Sequence, residues 1–289
     1  MIKEIRAKVL LSRVKQPDPW FGLSYSMNLY RGCQHQCIYC DSRSQCYQIE
    51  DFRDVLVKAN AIELLRRELA RKRKRGTIGT GSMHDPYMPL EEELGLTRGA
   101  LEVIARYRFP VHVTTKSDLV LRDLHTLIRI SDVYAAVSFT VTTADDGLGR
   151  KLEPGAPPVS ARFDAMKVLA AHGVLTGVTM MPILPFIEDS EENVTAIVTQ
   201  AHESGAAYIV PSFGMTLRDR QRRYYYERLD RLFPGLREKY ERRFGEQYHC
   251  VANNAEKLSA TFADLCDQFG IATRIPVYCP ESATQLSFL

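Results

Sequence analysis

The chain has no run of apolar residues long enough to cross a bilayer, and its opening, Met1-Ile2-Lys3-Glu4-Ile5-Arg6, carries no apolar core of a secretory signal. We therefore expect a cytoplasmic protein with no membrane partner. Charge of one sign is scarce too. Lys and Arg number 38 against 35 Asp and Glu, and a surplus of +3 marks no nucleic-acid footprint by itself. The 7 cysteines are an odd count, which argues against a disulfide framework; reduced thiols suit a reducing compartment. No internal repeat, heptad or low-complexity linker interrupts the 289 residues, a length within the range of one α/β barrel-like domain. What remains is an ordinary globular composition, 45% hydrophobic and 25% charged, sufficient for a full core.

The informative feature is the run Gly32-Cys33-Gln34-His35-Gln36-Cys37-Ile38-Tyr39-Cys40-Asp41, spaced C-x3-C-x2-C. Three thiolates this close together can ligate three irons of a [4Fe–4S] cube, leaving the fourth iron open to a small molecule. A closed, four-cysteine cluster only passes electrons; an open iron implies chemistry. Zinc is the bland alternative, with His35 or Cys46 as fourth ligand. Zinc sites generally pair two knuckles or add spaced histidines. Here Cys250, Cys266 and Cys279 lie far apart and form no second knuckle.

With an aromatic residue before the last cysteine, this motif resembles the radical S-adenosylmethionine (radical SAM) enzymes. Asp85-Pro86-Tyr87 with Pro89 and Glu91, Leu96-Thr97-Arg98, Thr115-Lys116-Ser117, Arg122-Asp123-Leu124 and Glu153-Pro154 narrow the resemblance to the spore photoproduct lyase-like branch. The resemblance implies a [4Fe–4S] cluster and S-adenosylmethionine as cofactors. It also implies cleavage of the sulfonium to a 5′-deoxyadenosyl radical, and an electron donor such as flavodoxin or ferredoxin. The cofactor carries the chemistry and the protein binds and orients.

Strand-like and helix-like runs alternate, as a parallel sheet with crossover helices requires. Strands are expected at 25–30, 77–80, 111–115, 133–141, 175–181 and 208–211. Helices are expected at 60–73, from Thr97, at 123–130, at 161–172 closed by Gly173, and at 191–204 closed by Gly205. Six such units, with the resemblance, imply an α/β fold: a partial (β/α)6 TIM-like barrel spanning residues 1–216. Residues 217–289 then form a cover of helices (220–233, 255–269) and a late strand (273–276), packed on the core within one structural domain.

Loops after strands supply the candidate site residues. The resemblance gives Tyr39 to adenine. Ser82, His84 and Asp85 follow the second strand, where Gly79 and Gly81 permit close backbone approach. Lys116 follows the third strand and can pair with the cofactor carboxylate. Ser138, inside the fourth strand, is expected at the ribose or methionine, and Glu153 at ribose or substrate. Each has a structural reading as well: a packed loop aromatic, a surface ion pair for Lys116, a satisfied core hydroxyl for Ser138, and a salt bridge to Arg150 or Lys151 for Glu153.

The loop Gly81-Ser82-Met83-His84-Asp85 lacks the cysteine hydrogen donor of true spore photoproduct lyases. Cys46 is the nearest spare thiol in sequence, and a Ser O–H is too strong a bond to replace it. The stretches Asn28-Leu29-Tyr30-Arg31-Gly32 and Cys40-Asp41-Ser42-Arg43-Ser44-Gln45-Cys46-Tyr47 resemble queuine lyases. That resemblance implies a nucleobase-like substrate, with Asp41, Arg43 and Tyr87 lining its pocket and Asp41, Cys46 and Tyr87 taking part in catalysis. Asp41 and Ser42 alternatively cap the helix that follows. Two other readings stand beside this one: a DNA or RNA lesion lyase, and a non-catalytic Fe–S protein that binds nucleic acid or serves maturation. Arg71-Lys72-Arg73-Lys74-Arg75 precedes a strand and reads as a solvated helix end. Arg218, Arg220, Arg222 and Arg223 before Tyr224-Tyr225-Tyr226 read equally as a phosphate or base contact and as an amphipathic helix.

Overall fold

Six parallel strands form one continuous sheet: Tyr25–Met27, Ile78–Thr80, Val111–Thr115, Ala135–Thr140, Leu175–Met180 and Tyr208–Pro211, each paired with the next. The structure, a computed structural model, describes residues 2–15, 18, 20–49 and 51–280. The two outermost parallel strands do not pair with each other, so the barrel is open. Leu11–Arg13 adds an antiparallel strand beyond Tyr25–Met27.

From the second strand to the fifth, nearly every residue is buried, because helices cover a parallel sheet and leave neither face to water. All six residues of Ala135–Thr140 are buried. Val137 and Phe139 enter the main core with the crossover helices, whereas Ala136 joins Tyr208 and Val210 in the lumen. Each such side chain contributes roughly 1.5–3 kcal/mol on burial. The helices Ala61–Ala70, Leu96–Tyr107, Leu124–Ser131, Val159–Ala171 and Glu191–Glu203 cover the outside. The lumen floor is closed by Phe21, whose ring lies 4.9 Å from that of His112, and by Ile275, packed with Tyr208.

Three expectations need correction. The run 25–30 is not one strand. After Met27 the chain leaves the barrel, and Tyr30–Arg31 pairs instead with Val55–Lys58, which also carries Ile2–Ile5. The backbone N–H and the ammonium of Lys58 hold the carbonyls of Leu29 and Asn28 at 3.1 and 2.6 Å and fix this departure. The expected strand at 273–276 is absent; Ala272 alone makes a parallel bridge to Tyr208, and Pro276 lacks the N–H a ladder needs. The helix expected from Asn60 begins at Ala61, because the Asn60 amide pairs with both backbone groups of Ala7 at 2.9 Å.

Beyond the sixth strand, Gly214–Thr216 and His249–Val251 form an antiparallel pair at the barrel mouth. Helix Asp219–Leu232 packs Tyr225 and Leu229 against Leu152, Leu184 and Tyr39, together with Tyr240 of helix Leu236–Phe244. Helix Ala255–Phe269 lies along Glu191–Glu203, where His202 stacks on Phe269 at 4.4 Å. Among the described residues, no helix is long and apolar enough to cross a membrane.

Candidate active site

The cysteine loop leaves Tyr30–Arg31 through Gly32, whose φ of 85° suits glycine and whose place leaves no room for a Cβ, since Asp54 O would lie 2.3 Å away. Cys33 and Cys37 are buried, Cys40 is half-buried, and all three are free thiols. Burial pushes the Cys33 thiol up to about 12, and it raises those of Cys37 and Cys40 as well. The Asp85 N–H donates to Cys33 Sγ at 3.5 Å. Among the described residues, no three His, Cys, Asp or Glu side chains converge to hold a single ion. A cubane takes one thiolate on each of three irons, and three free cysteines of one loop are a donor set that fits it.

Two buried carboxylates hold this loop against the barrel. Asp85 accepts from Thr115 Oγ1 at 2.7 Å, from the Lys116 N–H at 2.6 Å and from the Tyr87 N–H at 2.8 Å, and His35 Nδ1 lies 3.3 Å away. Desolvation alone would raise its pKa. His35 and these donors outweigh that and hold it well below the usual carboxylate range. Asp85 thus ties the cysteine loop to the ends of the second and third strands, and its oxygens are taken. Glu153 likewise accepts from Arg162 at 2.5 Å and from the Tyr39 hydroxyl, with Lys116 Nζ 3.9 Å away. Its partners are these distant cations, not the neighbouring Arg150 and Lys151. The clamp extends along the backbone: Ile38 N–H donates to Leu152 O at 2.8 Å, and Gly155 N–H to His35 O at 2.9 Å.

A cavity of 440 Å³ opens at the C-terminal ends of the strands. Tyr39, Cys40 and Asp41 form one wall and Met181 and Pro182 another, Ser82 contributes a hydroxyl, and the Gly214–Thr216 and His249–Val251 pair covers it. Asp41 Oδ2 accepts from Arg218 Nη2 at 2.7 Å and from the Tyr47 hydroxyl at 3.0 Å. Asp41 Oδ1 has only a 3.4 Å contact from Thr216. Cys46 sits exposed on the turn Gln45–Tyr47 at this rim.

Other expected residues lie elsewhere. Arg43 faces away from the cavity: its guanidinium is sandwiched between Phe52 and Tyr224, 4.5 and 3.7 Å from the ring centroids, and donates to Gln36 Oε1 at 2.9 Å. A short 3-10 turn, Asp41–Arg43, puts Asp41 and Arg43 on opposite sides of the loop. Tyr87 has no exposure and donates to Asp123 at 3.1 Å within the Glu91–Arg122–Asp123–Arg98 ion network, so it reaches no substrate in the mouth. Ser138 is held low in the lumen between His112 Nε2 at 2.8 Å and the Tyr208 hydroxyl at 2.7 Å. His84 is buried edge-on to Tyr30 at 5.4 Å, and desolvation lowers its pKa to about 4, so it is neutral.

The arginines of the sixth-strand loop and the following helix prove mostly structural. Arg220 donates to Arg43 O at 3.0 Å and to Ile49 O at 2.5 Å, and Arg222 donates to Leu217 O at 3.1 Å and to Gln247 O at 2.6 Å. The basic run 71–75 lies before the second strand, mostly exposed, with Lys72 Nζ 4.0 Å above the Tyr25 ring.

A model of the radical SAM superfamily matches residues 27–196, more than half of the chain. The chain belongs to the radical SAM superfamily. It is 30% identical over 278 residues to an uncharacterized protein of Mycobacterium tuberculosis, covering 93% of this chain and 81% of that one. It is 34% identical over 193 residues to an uncharacterized protein of Methanocaldococcus jannaschii, covering 66% and 70%. A spore photoproduct lyase variant holding AdoMet and a dinucleoside spore photoproduct shares the fold at a TM-score of 0.69 and 16% identity, over 93% of this chain and 78% of that one. Radical SAM enzymes use a [4Fe–4S] cluster and S-adenosylmethionine, and this chain is such an enzyme.

Arg162 and Glu188 carry no signal in the sequence, and the pairing of Arg218 with Asp41 carries none either. Arg162 sits mid-helix in Val159–Ala171, and nothing in its neighbours signals a buried cation reaching Glu153. Glu188, 1% exposed, accepts from the Leu184 N–H at 3.0 Å with Oε1 unpaired; desolvation raises its pKa well above the usual range. Arg218 was noted only as one of a basic group, since its pairing with Asp41 spans 177 residues.

Proposed function

We propose that Cys33, Cys37 and Cys40 each ligate one iron of the cluster, and that the enzyme cleaves a bond in a nucleobase-like molecule bound in the mouth cavity. When bound, cluster and S-adenosylmethionine supply a 5′-deoxyadenosyl radical that abstracts hydrogen from the substrate. The chain's residues bind, orient and exclude water. Lys116, buried beside Glu153 and 5.8 Å from the Tyr39 ring centroid, offers its ammonium to the cofactor carboxylate. Tyr39 and Ser82, on the cavity wall, contact the rest of the cofactor. Asp85 and Glu153 position these groups, and Cys46 at the rim is the candidate hydrogen-atom donor.

The substrate reading rests on one observation, the pairing of Asp41 and Arg218 beside an aromatic-walled cavity. Asp41 Oδ1 can accept an N–H or amine, Arg218 can donate to a ring carbonyl, and Tyr39 and Phe213 supply flat surfaces. Queuine, a deazaguanine with an aminomethyl arm, is the first molecule to test. A nucleic-acid lesion lyase is the second reading, favoured by the fold shared with a lyase that holds a dinucleoside. Incubation of the reduced enzyme separately with queuine and with thymine-dimer DNA decides between them; product from DNA alone overturns the first reading.

Two substitutions test the roles. Lys116→Ala is expected to leave the cluster spectrum intact and to weaken S-adenosylmethionine binding roughly ten- to hundred-fold, from the loss of about 1.5–3 kcal/mol in a charge-assisted hydrogen bond. An unchanged binding isotherm removes Lys116 from the site. Asp41→Asn is expected to leave substrate-free formation of 5′-deoxyadenosine unchanged while substrate affinity drops by a similar factor. Equal loss of both would place Asp41 in cofactor binding instead.

A further inference from the structure

A second concavity, of 280 Å³, lies on the outer side of the cysteine loop, opposite the wall that Asp41 presents to the mouth. It is bounded by Phe52, Ile49 and helix Asp219–Leu232, and it gathers Arg43, Arg53, Arg220, Arg223 and Arg228 against only Asp51 and Glu227. Arg53 is already paired with Asp51 at 2.8 Å. Arg223 is exposed and has no acidic partner among the described residues, and Arg228 contacts only the Tyr224 hydroxyl and ring. Over the whole chain the two charge signs nearly cancel, at 38 to 35, so this concentration is local.

Its floor connects it to the cysteines. Ile49 and Phe52 line the groove and also pack directly on Cys33, with Cys40 against the same cluster of side chains. Gln36, on the groove wall, donates to Cys33 O at 2.5 Å, and Arg43 Nε donates to Cys37 O at 3.4 Å. One layer of side chains therefore separates the arginine surface from the thiols of Cys33 and Cys40.

We propose that this groove receives an acidic electron-carrier protein, which docks on Arg223, Arg228 and Arg53 and passes one electron through the Ile49–Phe52 layer. The carrier is oxidised by one electron and the cluster is reduced by one; no atom is transferred. The inference rests on the radical SAM assignment, whose chemistry begins from a reduced cluster. Charge selects the partner: an arginine surface attracts a carboxylate-rich protein and speeds encounter at low salt. A small footprint fits a transient redox encounter, which needs little buried area. Keeping this surface apart from the mouth lets the carrier dock while substrate is bound.

The test uses the cluster-loaded enzyme and the double variant Arg223→Glu/Arg228→Glu. Reduced flavodoxin, an acidic carrier, is mixed anaerobically with each, and cluster bleaching is followed by stopped flow. Reduced methyl viologen, a small cation that the patch does not attract, serves as control. Flavodoxin affinity is measured separately by titration at low and high salt. We expect the variant to be reduced by flavodoxin roughly ten-fold more slowly at low salt, to bind it more weakly, and to be reduced normally by viologen. Added salt should close the gap between the two proteins. Equal flavodoxin rates, or equal slowing with both reductants, overturns the proposal. So does a single-stranded oligonucleotide that binds the wild type, loses affinity in the variant and leaves flavodoxin reduction unchanged, since the groove would then be a nucleic-acid surface. Failure of the viologen-reduced wild type to cleave S-adenosylmethionine would instead count against the assignment on which the inference rests.

Discussion

Replacing any one of Cys33, Cys37 or Cys40 with alanine is expected to remove the cluster iron and abolish S-adenosylmethionine cleavage. The loop offers no substitute ligand. His35 lies against Asp85, and Cys46 is exposed at the outer rim on a separate 3-10 turn. Of the remaining thiols, Cys250 lies on the strand that covers the mouth cavity, buried among Tyr225, Tyr226 and Tyr240 and outside the cysteine loop, Cys266 lies inside helix Ala255–Phe269, and Cys279 is exposed near the end of the described chain. Alanine at any of these three should leave iron content and cofactor cleavage intact. Iron analysis and assay of 5′-deoxyadenosine check both halves. An essential role in cluster assembly for Cys250, Cys266 or Cys279 would falsify the three-ligand assignment.

Arg162→Leu is expected to destabilise the protein by about 3–5 kcal/mol, because it leaves the Glu153 carboxylate buried without its nearest cation. Both side chains are almost without exposure, at 1% and 2%, so solvent cannot compensate. Lys116 stands 3.9 Å away and would be pulled toward Glu153. Cofactor affinity should then fall along with stability, and denaturant titration with a binding isotherm measures the two effects. The same pair predicts a pH dependence. Burial alone would raise the Glu153 pKa; Arg162, Lys116 and Tyr39 outweigh burial and hold it below its ordinary 4.5. A carboxylate depressed in this way contributes stability above its unfolded value and loses it as pH falls through the folded one. Wild type should therefore lose stability below about pH 4.5, while Arg162→Leu should lose less over that interval. An identical acid limb in both proteins would show that Glu153 does not depend on Arg162.

The cysteine motif and the order of strands and helices were legible in the sequence because they depend on local patterns. Spacing within ten residues places three thiols on one loop whatever the rest of the chain does. Apolar strands buried on both faces, separated by amphipathic helices, specify a parallel sheet. Helix Val159–Ala171 was legible as an element even though its most consequential residue, Arg162, was not.

What only the tertiary structure decided is how side chains far apart in sequence meet. Asp41 and Arg43 are two residues apart, yet a 3-10 turn sends one to the mouth and the other to the outer groove between Phe52 and Tyr224. The partners of Asp41 and Glu153 come from other elements, Arg218 across 177 residues and Arg162 and Lys116 from a crossover helix and the third-strand loop. Tyr87 sits in a motif beside Asp85 but turns into a buried ion network, because the polar groups of Glu91, Arg122 and Asp123 must be satisfied where water cannot reach. Spacing along a chain fixes which face of a local element a residue takes. Which cavity that face meets is set by the closure of the sheet and the packing of the segment after Leu217, and those contacts have no local signature.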